Sequence, residues 1–381
     1  MVFPDAMLGM LGGGQLGRMF TLAAHSMGYR VAVLDPDPLS PAGAIADVHL
    51  KAAYQDREAL QQLADGCVAI TTEFENVPAD SLRWLAAHCT VRPTGDSVAI
   101  AQDRIREKRF LRQNGFEVAP FAVIERPDDC DKVDAALLPG ILKRARFGYD
   151  GKGQARVATI AEARAAFLAL GAESCVLEKQ VLLACEVSVV AARGADGATR
   201  SFPVSENRHH NGILDVSIVP ARVSADLAHR AQAAAGEVAV RLGYCGVLAV
   251  EFFVTADGAL LVNEIAPRPH NSGHYTIDAC ATSQFEQQVR TLCGLPLGDT
   301  RLLSPVAMVN LLGDVWQSGQ PAWDAIFGAP EAKLHLYGKH EARPGRKMGH
   351  YTVLGADADD ALAKALAIRT KLSPDFHLQP A

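Results

Sequence analysis

Apolar residues in this chain fall into short Val/Ile/Leu-rich runs, and the spacing between them changes along its length. Residues 7–35 (MLGMLGGGQLGRMFTLAAHSMGYRVAVLD) predict strand, Gly-rich turn, helix and strand. Val68 to Thr72 and Thr90 to Arg92 predict two more strands around a helical stretch, so about 95 residues form a small doubly wound half-domain. A charged helix is expected from Asp103 to Gln113, stopped by Asn114-Gly115. Its opening Arg104-Ile105-Arg106-Glu107-Lys108 reads as a solvated face, or as an arginine reaching a phosphate. Leu137–Lys143, Cys175–Val181 and residues 185–193 predict strands, and Ala225–Leu242 and Thr282–Leu292 predict helices. Short strands from Val306 to Leu354 and a helix over Ala361–Leu372 complete the chain.

The strongest local signal lies at residues 246–275. Two Val- and Phe-rich runs, Val247 to Val254 and Ala259 to Ile265, flank Asp257-Gly258, a pair suited to a two-residue type I′ hairpin turn. That turn sets Glu251 directly across from Glu264. Like charges so placed destabilise a strand pair, so the arrangement calls for a hard cation, or else for a solvated edge. Asn263, Arg268, His270, Asn271 and His274 crowd the same region.

Length and composition narrow the field. The 381 residues predict two or three domains, with 49% hydrophobic and 21% charged residues, as in ordinary globular chains. A net charge of −6 leaves no basic footprint for nucleic acid. No apolar run is long enough for a membrane span and no leader pattern opens the chain, so a cytoplasmic enzyme is expected. The eight cysteines are scattered without a C-x-x-C pair and read as reduced thiols.

Candidate chemistry follows from particular stretches. Gly12, Gly14 and Gly17 match G-x-G-x-x-G, with Asp35 where a ribose-binding acid would sit; the same glycines suit any turn that presents amides to a phosphate. Glu73 and Glu75 follow a strand end, as ligand contacts or as caps of the next helix. Lys143 leads into residues 147–154, FGYDGKGQ, which can fold over phosphates as a lid or form a plain hairpin turn. Glu178 and Lys179 end a strand that can read an adenine edge, and Glu186, alone in an apolar strand, wants a partner such as a ribose hydroxyl. His209 and His210 read as surface or capping residues. Lys339, Arg343, Arg346 and Lys347, around Pro344-Gly345, make a candidate phosphate cradle.

Four stretches in order, GGGQLGRM, FGYDGKGQ, NEIAPRPHNSGH and RPGRKMGH, span nearly the whole chain. Together they resemble the ATP-grasp superfamily and, within it, the carboxyaminoimidazole ribonucleotide synthetase family. The resemblance implies an α/β and α+β multidomain fold: a Rossmann-like half-domain (1–102), an ATP-grasp domain (103–297) with a lid at about 115–180, and a small β-rich C-terminal domain (298–381). It implies ATP held by Arg104, Lys143, Gly148, Tyr149, Asp150, Gly151, Lys152, Gly153, Gln154, Glu178, Lys179, Gln180, Val181, Glu186, His209, Asn263 and Glu264. Mg²⁺ would sit on Glu251 and Glu264, bicarbonate on Arg268, His270 and Asn271, and the ribonucleotide phosphate on Lys339 and Arg346. Gln15, Glu73 and Tyr149 are further substrate contacts, with Glu75 competing with Glu73. Many ATP-grasp enzymes have E-x-N at the metal, whereas Ala266 stands at the last position here, leaving two carboxylates. A homodimer acting on small molecules, with neither nucleic acid nor membrane as partner, is implied as well. Rival readings are another ATP-grasp ligase, such as a formate-dependent glycinamide ribonucleotide transformylase, a nicotinamide-dependent oxidoreductase, or a non-catalytic nucleotide sensor.

Overall fold

The computed structural model describes residues 1–148 and 152–372 and contains three sheets. The first is wholly parallel, in the order β3 (Val48–Leu50), β2 (Arg30–Leu34), β1 (Met7–Leu11), β4 (Ala69–Thr72), β5 (Thr90–Val91). Central strands of such a sheet are covered on both faces, which explains why β1 reads as an unbroken apolar run rather than an alternating one and why β4 is buried throughout. The helix Gln15–Ser26 turns Leu16, Met19, Phe20 and Ala24 inward at helical spacing.

A four-stranded antiparallel sheet follows, β6 (Phe121–Ile124), β9 (Cys175–Lys179), β7 (Gly140–Arg144) and β8 (Gln154–Val157) in spatial order, backed by the helix Ile160–Ala169. It spans the segment expected as a lid.

The third sheet has nine strands. Its path runs β15 (Leu260–Ala266), β14 (Gly246–Thr255), β10 (Leu183–Arg193), β12 (Ser205–His210), β13 (Ile213–Val219), β16 (Val306–Leu312), β18 (Lys347–Leu354), β17 (Ala332–Leu336), with β11 (Thr199–Ser201) beside β10. The C-terminal strands therefore extend the central sheet rather than building one of their own: β13 pairs β16 from Val216↔Val309 to Val219↔Val306. Helix Ala225–Arg241 covers β10 and β14, and helix Ala358–Leu372 covers β13, β16 and β18.

The parallel sheet is fastened to this body. Leu8, Met10 and Phe20 share a core with Phe285, Val289 and Leu292 of the helix Gln284–Cys293. Arg92 donates to the carbonyls of Thr291 and Leu292 at 2.7 and 3.0 Å, occupying acceptors that a helix C-terminus leaves open.

The helix Arg104–Gln113 departs from its sequence reading. Asp103 caps it, its side chain accepting from the amides of Ile105 and Arg106, but Glu107 and Lys108 are 1% and 0% exposed. One charged face of this helix is interior, wedged between β9 and β15.

Candidate active site

The hairpin pairs Glu251 with Glu264, as the sequence predicts, although by another route. Its loop is three residues long: the Thr255 amide donates to the Ala259 carbonyl, and only Gly258, at φ +84°, is left-handed. From Val254↔Leu260 to Phe252↔Val262 the register is one residue off the type I′ expectation. A bulge at Asn263 then restores it, so Glu251 meets Glu264 and Val250 meets Ile265. Each acid has a basic side chain at hand: Arg104 donates to Glu264 at 2.9 Å, and His270 Nε2 lies 3.0 Å from Glu251. Burial opposes ionisation of Glu251, but His270 and His209 hold its carboxyl well below the usual range.

Glu107 and Lys108 reach the same hairpin. The Ile265 amide donates to Glu107 at 2.5 Å, and the Lys108 ammonium donates to the Asn263 carbonyl at 2.8 Å. Burial pushes the Glu107 carboxyl up and the Lys108 ammonium down, each towards its neutral form. Glu178 lies beyond them, 2.9 Å from Lys143 and 3.6 Å from Lys108. Despite its burial, these cations hold Glu178 down at about 2. Its carboxylate is thus committed to lysines rather than to a base edge, and the amides of Lys179 and Gln180 donate to the carbonyls of Pro120 and Pro139. Glu186 finds its partner in His209, 3.1 Å away at the end of β12. Burial alone would lower the His209 pKa; Glu186 reverses this and raises it. His209 is thus a cavity residue and not the surface cap its sequence suggests.

The loop after β15 brings Arg268, His270 and Asn271 to the same space. Arg268 forms an ion pair with Glu75, which brings that carboxyl down to about 2 against the opposing effect of burial. Asn271 donates to Asn310 on β16 at 3.0 Å, and Ser272 shares a 2.7 Å hydrogen bond with Ser188 on β10.

Glu73 corrects the dinucleotide reading. Its carboxylate accepts from the amides of Gly14 and Gly17, the latter at 2.7 Å, and so occupies the helix N-terminus where a pyrophosphate would sit. It caps the first helix, not the next one, and burial raises its pKa. Asp35 accepts from the Gly13 amide at 2.6 Å and the Tyr54 hydroxyl at 2.7 Å, which leaves it no ribose to hold. The glycines are needed for this closeness: a Cβ on Gly14 would lie 2.6 Å from Glu73 Oε1.

One cavity of about 940 Å³ unites these groups. Gln15, Glu73 and Glu75 line it from the parallel sheet; Lys143, Gly148, Lys152, Gln154 and residues 178–181 from the four-stranded sheet; Glu186, His209, Glu251, Asn263, Glu264, Arg268, His270, Asn271, Lys339 and Lys347 from the remainder. Lys339 donates to Gln15 at 2.7 Å. Arg346 does not line the cavity; its guanidinium donates to the Glu341 carbonyl in its own loop, and its neighbour Lys347 faces inward instead. Tyr149, Asp150 and Gly151 lie outside the described residues. Sequence reasoning missed Glu107 and Lys108, which no local pattern marks as buried, and the inward turn of Lys347.

A divalent metal has a fitting donor set here. Two opposed carboxylates adjoin Asn263 Oδ1, a buried oxygen with no hydrogen-bond partner among the described residues. These are hard oxygen ligands of the kind magnesium takes.

Family models match three consecutive stretches: a ribonucleotide synthetase preATP-grasp domain over residues 6–102, an ATP-grasp domain over 109–285, and a phosphoribosylaminoimidazole carboxylase C-terminal domain over 306–364. The N5-carboxyaminoimidazole ribonucleotide synthase of Bacillus subtilis is 46% identical over 360 residues, covering 94% of each chain. The crystal structure of an ADP complex of an N5-carboxyaminoimidazole ribonucleotide synthetase superposes with a TM-score of 0.91 at 43% identity, over 97% of each chain. The Aspergillus clavatus synthase in complex with ADP and 5-aminoimidazole ribonucleotide gives 0.88 at 31% identity, over 97% of this chain and 98% of that one. On its sequence and its fold alike, this chain belongs to the N5-carboxyaminoimidazole ribonucleotide synthase family of ATP-grasp enzymes.

Proposed function

We propose that this chain carboxylates 5-aminoimidazole ribonucleotide at its exocyclic amine, using bicarbonate and ATP and releasing ADP and phosphate, a step of purine biosynthesis. The observation that carries this reading is the single cavity in which the opposed Glu251/Glu264 pair, the Arg268–His270 loop and the Gln15–Lys339 contact lie together. The parts match the demands of the chemistry. Bicarbonate is a poor electrophile, so an oxygen of it first takes the γ-phosphoryl group, ADP departs, and the resulting carboxyphosphate gives up its carbon to the amine as phosphate leaves. Lys143, aimed by Glu178, would neutralise the transferring phosphoryl group. Glu251, Glu264 and Asn263 would hold Mg²⁺, which supplies charge neutralisation at the phosphates when bound. Arg268 and His270 would orient bicarbonate, and Lys339 with Lys347 would receive the ribonucleotide phosphate. Gly148, Lys152 and Gln154, which border the cavity, would help to keep water from carboxyphosphate.

No helix among the described residues is long and apolar enough to cross a membrane. A homodimer, a cytoplasmic site of action, and domain limits at 1–102, 103–297 and 298–381 are part of this reading and rest on the family resemblance.

The test is ADP release with Mg·ATP and bicarbonate, with and without aminoimidazole ribonucleotide. Stimulation by that ribonucleotide, dependent on bicarbonate, is expected. Release that responds instead to glycinamide ribonucleotide and formate would overturn the substrate while keeping the nucleotide site.

A further inference from the structure

β15 is the edge of the nine-stranded sheet, so its outer backbone groups have no neighbouring strand to pair with across residues 263–265. The helix Arg104–Gln113 lies along that edge and presents positions 104, 107 and 108, spaced i, i+3, i+4 on one face. Each contacts one residue of the bulge: Lys108 the Asn263 carbonyl, Arg104 the Glu264 carboxylate, Glu107 the Ile265 amide. Lys108 also lies 3.6 Å from Glu178 Oε1, while Lys143 takes the other oxygen of that carboxylate. Two fully buried ionisable side chains serve as edge partners where groups that do not titrate would suffice for hydrogen bonding, and burying such groups is costly.

We infer that Glu107 and Lys108 are positioning residues: they hold the backbone on either side of Glu264, so aiming Glu264 and Asn263 at the metal, and through Glu178 they tie that aim to Lys143. The inference rests on the proposed metal–nucleotide site and adds to it a coupling between the acids of the hairpin and the lysine of the four-stranded sheet. Lys108 does not line the cavity, and Glu107 borders it with its carboxylate turned to the Ile265 amide. Outer partners that orient metal ligands are typically worth ~10–100-fold in metal affinity, and an effect of that size is expected here.

The test uses Mn²⁺ as a paramagnetic probe of the full-length protein with ADP, followed by electron paramagnetic resonance, beside steady-state kinetics. Lys108→Met keeps the length of the side chain and removes the donor. The folded variant should bind Mn²⁺ with ADP at least ~10-fold more weakly and show a matching rise in KM for Mg·ATP, with KM for the ribonucleotide unmoved. Glu107→Leu, which removes the acceptor for Ile265, should do the same. If Lys108→Met fails to fold, Glu107→Leu alone is read by the same criteria. Unchanged Mn²⁺ affinity in a folded variant overturns the inference, as does an equal loss towards nucleotide and ribonucleotide. A wild-type protein that binds no Mn²⁺ with ADP overturns the metal site itself, and the wild-type measurement distinguishes that failure from the others.

Discussion

Glu251 and Glu264 face one another across a strand pair, and each keeps a basic side chain of the chain's own within 3.0 Å. Arg104 and His270 thereby relieve a repulsion that would otherwise work against the hairpin. Because Glu264 contributes charge and little core volume, Glu264→Gln should fold, melting within a few degrees of wild type by calorimetry, while kcat/KM falls by ~100-fold or more. A variant that unfolds would make the acid structural. The Glu75–Arg268 pair has a different signature. Its folded carboxyl titrates at about 2 against an ordinary value of 4.5. A depressed folded pKa gives stability that is present above 4.5 and lost as pH falls towards 2, on the order of 3 kcal/mol for this pair. Glu75→Gln should therefore narrow the stability gap to wild type progressively below pH 4.5, as read from urea midpoints across that range.

At the scale of elements, the hairpin shows what was legible in the sequence and what was not. Asp257-Gly258 between apolar runs located both strands, and the opposition of the two acids followed from simple counting. The count succeeded because two departures cancel: a loop one residue longer than expected and a bulge at Asn263. Neither leaves a local mark, since bulges answer to what lies beside the strand, here a helix 155 residues earlier. The charged helix was misread for the same reason. Glu107 and Lys108 look solvated until partners at 178, 263 and 265 are brought to them. Glu73 likewise had two readings, ligand contact or cap of the next helix; the approach of Gly14 and Gly17 makes it a cap of the first helix instead, while it still lines the cavity. The loop also gives a test of its own. Gly258 has open space around it and φ +84°, so Gly258→Ala should lower stability by about 1 kcal/mol through backbone conformation alone, with turnover unchanged.

At the scale of the whole molecule, three sheets meet at one cavity. The parallel sheet is fixed to the nine-stranded one by the shared core around Phe285 and Val289 and by Arg92, whereas the four-stranded sheet has a core of its own and is joined to the nine-stranded one through the helix Arg104–Gln113. The C-terminal strands have no such independence. A chain ended at residue 305 would expose the β13 edge, with Val216, Ile218 and Val219 buried in the intact fold. Such a truncation should aggregate on expression, as judged by size-exclusion chromatography, rather than give a smaller folded protein. The same seam bears on inheritance. Residues 298–305 look like a natural place to exchange segments between relatives, yet a crossover there parts β16 from the strand it pairs with and sets a foreign partner along Val216–Val219. Recombinants joined at that linker should survive only when both sides of the seam come from the same parent, so the unit that can be passed between lineages intact is the nine-stranded sheet and not the three stretches the chain displays in sequence.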